Sequence, residues 1–355
     1  MIDFRYHVVS IVAIFLALTV GLVIGASILS GSLANSLRSD LSKANNQITD
    51  QQKQIKTLNS QIDQQNKYIA DTAPQLVASR LSGQCIAMVQ IAGADSDAYA
   101  AVRTMVSKQS GALVCSDTTL NAALTAPTSQ AQLSSLVKAH APSGQKLAGG
   151  VTQQALELLA EALTTYQAVG STADSTGTAT SSPTATATAT GTAGAGASPG
   201  TGTTPTPTQT TLTASGALGT LKDFQSAGMI TMTTSPINGE QATLAYVQAP
   251  ATASQDTDVT AYLPFAEALR KGGVGTMVGG SGTSAEKGGL VYAIVNDSTA
   301  TREISTVDDT DATMGQVASV FCLYDQSQGD ANVAGHYGTG ANNDGPIPPI
   351  TPGLG

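Results

Sequence analysis

The fold is decided by residues 85–116, which read CIAMVQIAGADSDAYAAVRTMVSKQSGALVCS. This stretch begins with a short apolar run, Cys85–Ile91, that predicts a buried strand. Asp95–Gln109 carries apolar residues at helical spacing, and Gly111 is placed to close that helix at its C-cap. A second apolar run, Ala112–Ser116, predicts another strand. Strand, helix, glycine and strand in this order predict a βαβ unit, in which the two strands are parallel.

The later segments repeat this alternation of strand and helix. Further helices are predicted at Val151–Ala168, Leu218–Ala227, Pro264–Lys271 and Ala312–Asp325. Further strands are predicted at Gly228–Met232, Leu244–Ala249, Val274–Val278 and Leu290–Val295, the last being the final clear strand. We therefore expect an α/β fold, a Rossmann-like or flavodoxin-like domain with three layers around a parallel sheet.

An uncharged apolar segment, Val8–Leu29, precedes this domain. As a helix it would be roughly 33 Å long, which is enough to cross the hydrocarbon core of a bilayer. A cleaved signal peptide is the alternative, although the apolar core of such a peptide is only about 7–15 residues long. Arg5 precedes the segment and the next Lys or Arg is Arg38, a bias that favours a cytoplasmic N-terminus and an external C-terminal domain. We expect a single-pass protein of the cell membrane and envelope.

A heptad repeat of apolar residues follows this segment. The predicted interface consists of Leu37, Leu41, Ile48, Ile55, Leu58, Ile62 and Ile69. Isoleucine at every seventh residue predicts a left-handed coiled-coil stalk, and branched residues at position a favour a parallel homodimer. Gln51 and Gln65 at position d weaken that interface. The alternative is one amphipathic helix folded against its own domain. Pro74 is expected to end the helix, because proline moves the preceding residue out of helical geometry.

Residues 171–211 consist almost wholly of Thr, Ala, Ser, Gly and Pro. They lack the apolar side chains that a folded core needs, so we predict a disordered insert, either O-glycosylated or unmodified. The predicted organisation is a transmembrane anchor at 1–32, a coiled-coil stalk at 33–73, an α/β domain at 78–170 and 212–340 interrupted by the insert, and a flexible tail at 341–355.

The charge of the chain argues against a nucleic-acid partner. The formal net charge is -9 and no run of Lys or Arg occurs, whereas nucleic-acid phosphates bind basic patches. The three cysteines are Cys85, Cys115 and Cys322. Adjacent parallel strands could bring Cys85 and Cys115 together, and both a disulfide and two buried thiols fit the sequence. The spacing of Cys and His does not indicate a zinc site.

Gly280–Ala285 reads GSGTSA, the G-x-G-x-x-A form of the dinucleotide-binding fingerprint. That fingerprint binds pyrophosphate at the N-terminus of a helix. Here Glu286–Gly289 leads directly to the strand predicted at Leu290, which leaves no room for the helix. We therefore favour a flexible loop and expect no bound cofactor.

Three carboxylates, Asp308, Asp309 and Asp311, precede the last predicted helix. Carboxylates in this position are expected to cap the helix and to interact favourably with its dipole. The alternative is a site for a hard cation such as calcium or magnesium.

Soft-metal ligands are present but scattered. Cuprous ions prefer thiolate and thioether ligands. The candidates are the three cysteines with His336, Met88, Met105, Met229, Met232, Met277 and Met314. Met229 and Met232 form the one Met-x-x-Met pair, but residues three apart on a strand face opposite sides. Methionines in strands and helices usually fill a core, so the ligands of any copper ion stay unassigned. A nucleophile paired with a base is not apparent, and we expect no enzymatic activity.

Four stretches resemble the MctB-type copper transport proteins of mycobacteria and their relatives. They are Asp3–Ser10 (DFRYHVVS), Phe15–Leu18 (FLAL), Ile304–Asp308 (ISTVD) and Gly335–Gly338 (GHYG). The similarity covers almost the whole chain apart from the Thr-rich insert, and motifs at both ends make it specific. It implies a role in copper ion transport and copper homeostasis in a mycobacterial-type envelope. The family is also similar to SteB, a corynebacterial coiled-coil membrane protein. This similarity implies an alternative role, a scaffold that binds an envelope partner controlling cell-wall hydrolysis and envelope integrity.

Overall fold

The fold is taken from a computed structural model, which describes residues 4–165, 212–234, 242–251, 259–328, 334–340 and 343–349. The insert predicted at 171–211 lies outside the described residues. The chain forms two units, Met1–Tyr68 and Ile69–Gly355.

Helix α1 (Phe4–Val77) forms the first unit and ends within the second. Its segment Tyr6–Gly25 has a mean hydropathy of 2.8 and is long and apolar enough to cross a membrane. None of this segment is buried within the chain. The predicted anchor is therefore supported by length and composition, which a signal sequence near the N-terminus would also satisfy.

The predicted coiled-coil interface lies on the surface of α1. From Leu37 to Ile62 its Leu and Ile side chains are 51–71% exposed, whereas Ile69 is half-buried. The coiled coil therefore stays a prediction.

The prediction that Pro74 ends the helix is wrong. α1 continues through Pro74 to Val77. Proline removes a hydrogen-bond donor and costs about 3 kcal/mol inside a helix. Ala73 and Val77 are buried in the core of the second unit, and their packing offsets that cost. The chain leaves the helix at Ser79, which adopts a positive φ of 58°.

A sheet of seven described strands, ordered β3-β2-β1-β4-β5-β6-β7, lies in the second unit. The strands are β1 (Cys85–Ile91), β2 (Leu113–Leu120), β3 (Ile230–Thr234), β4 (Leu244–Gln248), β5 (Gly275–Gly279), β6 (Ser305–Val307) and β7 (His336–Tyr337). Neighbouring strands are parallel, except that β3 runs antiparallel to β2. The predicted parallel sheet is confirmed for six strands, and the strand predicted at Gly228–Met232 is its antiparallel edge.

The alternating side chains of β1 divide the core into two layers. Ala87 and Val89 belong to the first hydrophobic cluster, whereas Ile86 and Met88 belong to the second. The first cluster includes residues of α3 (Gln130–His140), α4 (Val151–Thr165), α5 (Ala214–Ser226), α6 (Leu263–Lys271) and α7 (Leu290–Asn296). The second includes residues of α2 (Ser96–Thr104) and α9 (Thr313–Ser327), while the short α8 (Ala300–Glu303) precedes β6. Helices on both faces of a mostly parallel sheet agree with the predicted α/β fold class.

The strand predicted at Leu290–Val295 is wrong, because these residues form α7. Leu290, Val291 and Ile294 are buried, a spacing that fits one face of a helix. Packing against the core thus overrides the strand preference of Val and Ile. Two strands were not predicted, β6 and β7, which have only three and two residues.

A disulfide joins Cys85 to Cys115, which decides between the two alternatives that the sequence left open. The register between β1 and β2 shifts after Ile86, and Cys115 lies in this irregularity. Both cysteines are buried in the first cluster. Cys322 on α9 is a buried free thiol.

Glu161 on α4 binds Leu212, the first described residue after the predicted insert. Its Oε1 accepts a hydrogen bond from the backbone N–H of Leu212 at 2.7 Å. Its Oε2 accepts one from the side-chain amide of Gln145 at 3.0 Å. α4 ends at Thr165, about one turn beyond Glu161, so Thr165 and Leu212 lie near each other.

Candidate functional site

The two C-terminal motifs, ISTVD and GHYG, lie on neighbouring strands. Thr306 and Val307 of β6 pair in register with His336 and Tyr337 of β7. The backbone N–H of Asp308 donates to the carbonyl oxygen of Tyr337. Residues that are distant in sequence thus form one surface at the carboxyl ends of β6 and β7, which is the candidate site.

Asp308 fixes the loop that follows β7. Its Oδ1 accepts a hydrogen bond from the N–H of Thr339 at 2.7 Å, and its Oδ2 accepts one from Gly340 at 2.9 Å. A side chain at Gly338 would overlap the Asp308 carboxylate, and Gly338 also has a φ of +130° that favours glycine. Burial raises the pKa of Asp308, while its two N–H donors oppose the rise. The carboxylate is therefore placed to hold the loop.

His336 has hydrogen-bond partners at both ring nitrogens. Nδ1 lies 2.8 Å from Thr306 Oγ1, and Nε2 lies 3.0 Å from the carbonyl oxygen of Thr301. A carbonyl oxygen only accepts, so Nε2 donates to Thr301, while the Thr306 hydroxyl contacts Nδ1. Both ring nitrogens are thus engaged by partners within the protein. His336 links β7 to β6 and α8.

A cleft of about 110 Å³ lies beside these residues. Its walls include Tyr292 and Val295 of α7, together with Asp308, Tyr337 and Asn343. Burial raises the pKa of Tyr337 to about 12, so its hydroxyl stays neutral at physiological pH. A water molecule occupies about 30 Å³ in the liquid, so the cleft has room for a few waters or one small polar species.

The expectation that Asp308, Asp309 and Asp311 cap the last helix is wrong. Helix α9 has Ala312 at its N-cap and no side-chain capping hydrogen bond. Asp309 is buried, and its Oδ1 has no hydrogen-bond partner among the described residues. Burial raises the pKa of Asp309 to about 6, and the charges of Asp308 and Asp311 add to the rise. Asp308 instead binds the loop after β7. The sequence before α9 gives no sign of this contact.

The hard-cation alternative needs several oxygen ligands around one point. Across the described part of the chain, no three His, Cys, Asp or Glu side chains are grouped so that they could hold a metal ion.

The soft-metal candidates are dispersed over the second unit. The sulfurs of Cys85 and Cys115 are bonded to each other. Met88, Met105 and Met277 fill the second cluster, while Met314 is half-buried on α9. Met229 and Met232 both pack with the first cluster, so the prediction that they face opposite sides is wrong. Met229 lies just before β3, so the alternation of side chains along a strand does not apply to it.

The GSGTSA motif follows β5, but its continuation differs from the prediction. Gly282–Ala285 is a 3₁₀ turn, and α7 begins at Leu290 where a strand was expected. The argument that a helix has no room here is therefore wrong. The space beside Gly280 is nevertheless filled by the side chain of Ser284. The loop packs on itself, unlike the fingerprint, in which a helix starts directly at the glycines.

Residues 1–348 match the family described as "Copper transport outer membrane protein, MctB". The chain belongs to this family. The copper transporter MctB of Mycobacterium tuberculosis (strain H37Rv) is 27% identical over 345 residues, which cover 96% of this chain and 97% of that protein. The copper transporter MctB of Mycobacterium bovis has the same identity and coverage. The family resemblance predicted from the end motifs is confirmed, whereas the alternative based on SteB receives no support from these matches.

Two residues of this site, Thr301 and Asn343, lie outside the motifs quoted from the sequence. Thr301 and Thr306 hold the ring of His336, and Asn343 donates to the carbonyl oxygens of Gly338 and Gly340 at 2.7 Å. Asn343 lies in the predicted tail, part of which is anchored to β7, since the N–H of Asp344 donates to the carbonyl oxygen of His336. Threonine and asparagine are frequent surface residues, so the only sequence signal was their closeness to the two motifs.

Proposed function

We propose that this member of the MctB family is a membrane-anchored, non-enzymatic protein that acts in copper ion transport and copper homeostasis at the cell envelope. The observation that carries the proposal is the match to the copper transport family over residues 1–348. The apolar segment Tyr6–Gly25 supports attachment to a membrane.

The second unit is proposed to lie outside the cytoplasm. Disulfides persist in oxidising compartments and are rare in the cytosol, and the Cys85–Cys115 disulfide belongs to the core of this unit. Arg5 lies before the apolar segment and the next Lys or Arg is Arg38, which supports a cytoplasmic N-terminus.

Copper transport is proposed to depend on assembly. One apolar helix presents no polar path for an ion across hydrocarbon, where charge is costly. The exposed heptad stripe of α1 supports association with a second copy. The flanking e and g positions are uncharged over three heptads, with Asn45, Gln47, Gln52, Gln54, Asn59, Gln61 and Asn66. Two identical helices would therefore meet without charge repulsion at these positions.

The proposal is tested in a strain from which the gene is deleted. Cell copper is measured by elemental mass spectrometry, with zinc in the same samples as the control metal. We expect higher cell copper and greater copper sensitivity in the deletion strain, unchanged zinc, and recovery when the gene is restored. Unchanged copper content in the deletion strain would overturn the proposal.

A further inference from the structure

A second cleft, of about 550 Å³, lies at the amino ends of β1, β4 and β5, on the opposite edge of the sheet from Asp308. Its walls include Gln84, Thr243, Arg270, Gly273, Gln326 and Ser327. The described residues that line it include one guanidinium and no carboxylate. In a chain with a formal net charge of -9, Arg270 is thus the one charged side chain among the described residues that line this cleft.

Arg270 lies in the last turn of α6, next to Lys271. A basic residue at this position interacts favourably with the helix dipole. Lys271 is exposed and forms an ion pair with Glu267 at 3.7 Å. Arg270 is half-buried in the cleft wall and forms no ion pair with a described residue. Because a guanidinium presents five donors suited to carboxylate or phosphate, Arg270 is equipped to bind such a group.

A neutral donor accompanies the guanidinium. The hydroxyl of Thr243 donates to Oε1 of Gln84 at 2.8 Å. This contact occupies the carbonyl end of the Gln84 amide, so its NH₂ group can donate to a ligand. Gln84 immediately precedes β1 and Thr243 immediately precedes β4, so both side chains are held by the ends of the sheet.

We propose that this cleft binds a small anion carrying a phosphate or carboxylate group, which Arg270 pairs with directly and the Gln84 amide hydrogen-bonds. This site is separate from the cleft beside Asp308, and it does not rest on the copper role.

Two acidic residues that are close in sequence to this lining are the competitors that the test must remove. Glu240 lies two residues before Ala242, which lines the cleft, and Asp330 lies three residues after Ser327. Both are outside the described residues. Glu240→Gln combined with Asp330→Asn removes both competitors.

The test measures thermal shift and calorimetric binding of inorganic phosphate and of citrate to the full-length protein in detergent, at ionic strength held constant with chloride. We expect at least one anion to bind the wild type, and the preferred anion distinguishes phosphate from carboxylate. Arg270→Gln should raise its dissociation constant at least tenfold. Lys271→Gln, which removes the same charge one residue away, should change it less than twofold.

Arg270→Lys provides a further variant, because it keeps the charge and loses the two-pronged geometry. We expect it to fold like the wild type and to bind severalfold more weakly. Absence of binding to the wild type, or equal binding by Arg270→Gln and Lys271→Gln, would overturn the proposal. Binding that appears only after the Glu240→Gln and Asp330→Asn changes would also overturn it, since the chain's own carboxylates would then occupy the cleft.

Discussion

Oδ1 of Asp308 lies 2.7 Å from the backbone nitrogen of Thr339, and this hydrogen bond ties the end of β6 to the loop after β7. The N–H of Gly340 binds the other carboxylate oxygen at 2.9 Å. Backbone donors of this kind replace the water that a buried carboxylate loses. The carboxylate thus joins the last residue of the ISTVD motif to the two residues that follow the GHYG motif.

Asp308→Ala should destabilise the second unit. It leaves two N–H groups without their acceptor, and we expect the free energy of unfolding to fall by about 2–4 kcal/mol. Urea unfolding of the full-length protein in detergent measures this loss. Asp311→Ala is the matched control, because Asp311 is an exposed carboxylate of the same cluster. Its cost should stay within about 0.5 kcal/mol. Equal losses in the two variants would show that the Asp308 contact is not stabilising.

Asp309→Asn should stabilise the protein at neutral pH. The pKa of Asp309 is raised to about 6 in the folded protein, so between about pH 4 and pH 6 the folded state holds a proton that the unfolded state has released. Its contribution to stability therefore falls as pH rises from about 4 to about 6. Replacement by Asn should raise the free energy of unfolding by about 1–3 kcal/mol at pH 7 and by little at pH 4. Denaturant unfolding at the two pH values checks this, and a gain of equal size at both would contradict it.

Replacing Cys85 and Cys115 together by Ser should lower the free energy of unfolding by about 2–4 kcal/mol, because the disulfide no longer restricts the unfolded chain. Reduction of the wild type should reproduce most of this loss. Cys322→Ala is the control, since Cys322 is a free thiol and its replacement should leave the response to reductant intact. A wild type that is insensitive to reductant under unfolding conditions would count against a stabilising disulfide.

The insert should be dispensable for folding. Glu161 binds the N–H of Leu212 at 2.7 Å, so the two ends of the region lie near each other. Replacing residues 168–210 by a Gly-Ser linker of about six residues should change the melting temperature by less than about 3 °C. Glu161→Ala should lower the melting temperature with the insert or without it. Loss of cooperative unfolding on removal of the insert would contradict this prediction.

The long strands could be predicted from the sequence, whereas the short strands β6 and β7 could not. β1 and β4 are buried on both faces, so they read as continuous apolar runs. Leu290–Val295 reads in the same way, yet its position against the first cluster makes it a helix. The Asp308–Thr339 contact spans 31 residues and uses a backbone donor. Every residue except proline has a backbone N–H, so such a contact leaves no pattern in the sequence. The pairing of β6 with β7 in the structure is what identifies the candidate site.

Self-association through α1 is tested by Ile55→Lys combined with Ile62→Lys. Both positions are exposed in the single chain, so the change should spare the fold of the monomer. Two buried charges at position a should weaken association at least 100-fold, or about 3 kcal/mol. Thr57→Lys combined with Ser60→Lys adds the same charge outside the heptad interface and should leave association unchanged. Analytical ultracentrifugation in detergent measures both variants.

The most direct measurement of the proposed function is cell copper in the deletion strain expressing, at equal levels, the wild type or either of these two Lys variants. We expect the wild type and the Thr57→Lys, Ser60→Lys protein to restore low copper content. The Ile55→Lys, Ile62→Lys protein should leave copper as high as in the deletion strain. Full restoration by that variant, while cross-linking shows it to be monomeric, would contradict a copper role that depends on assembly through α1.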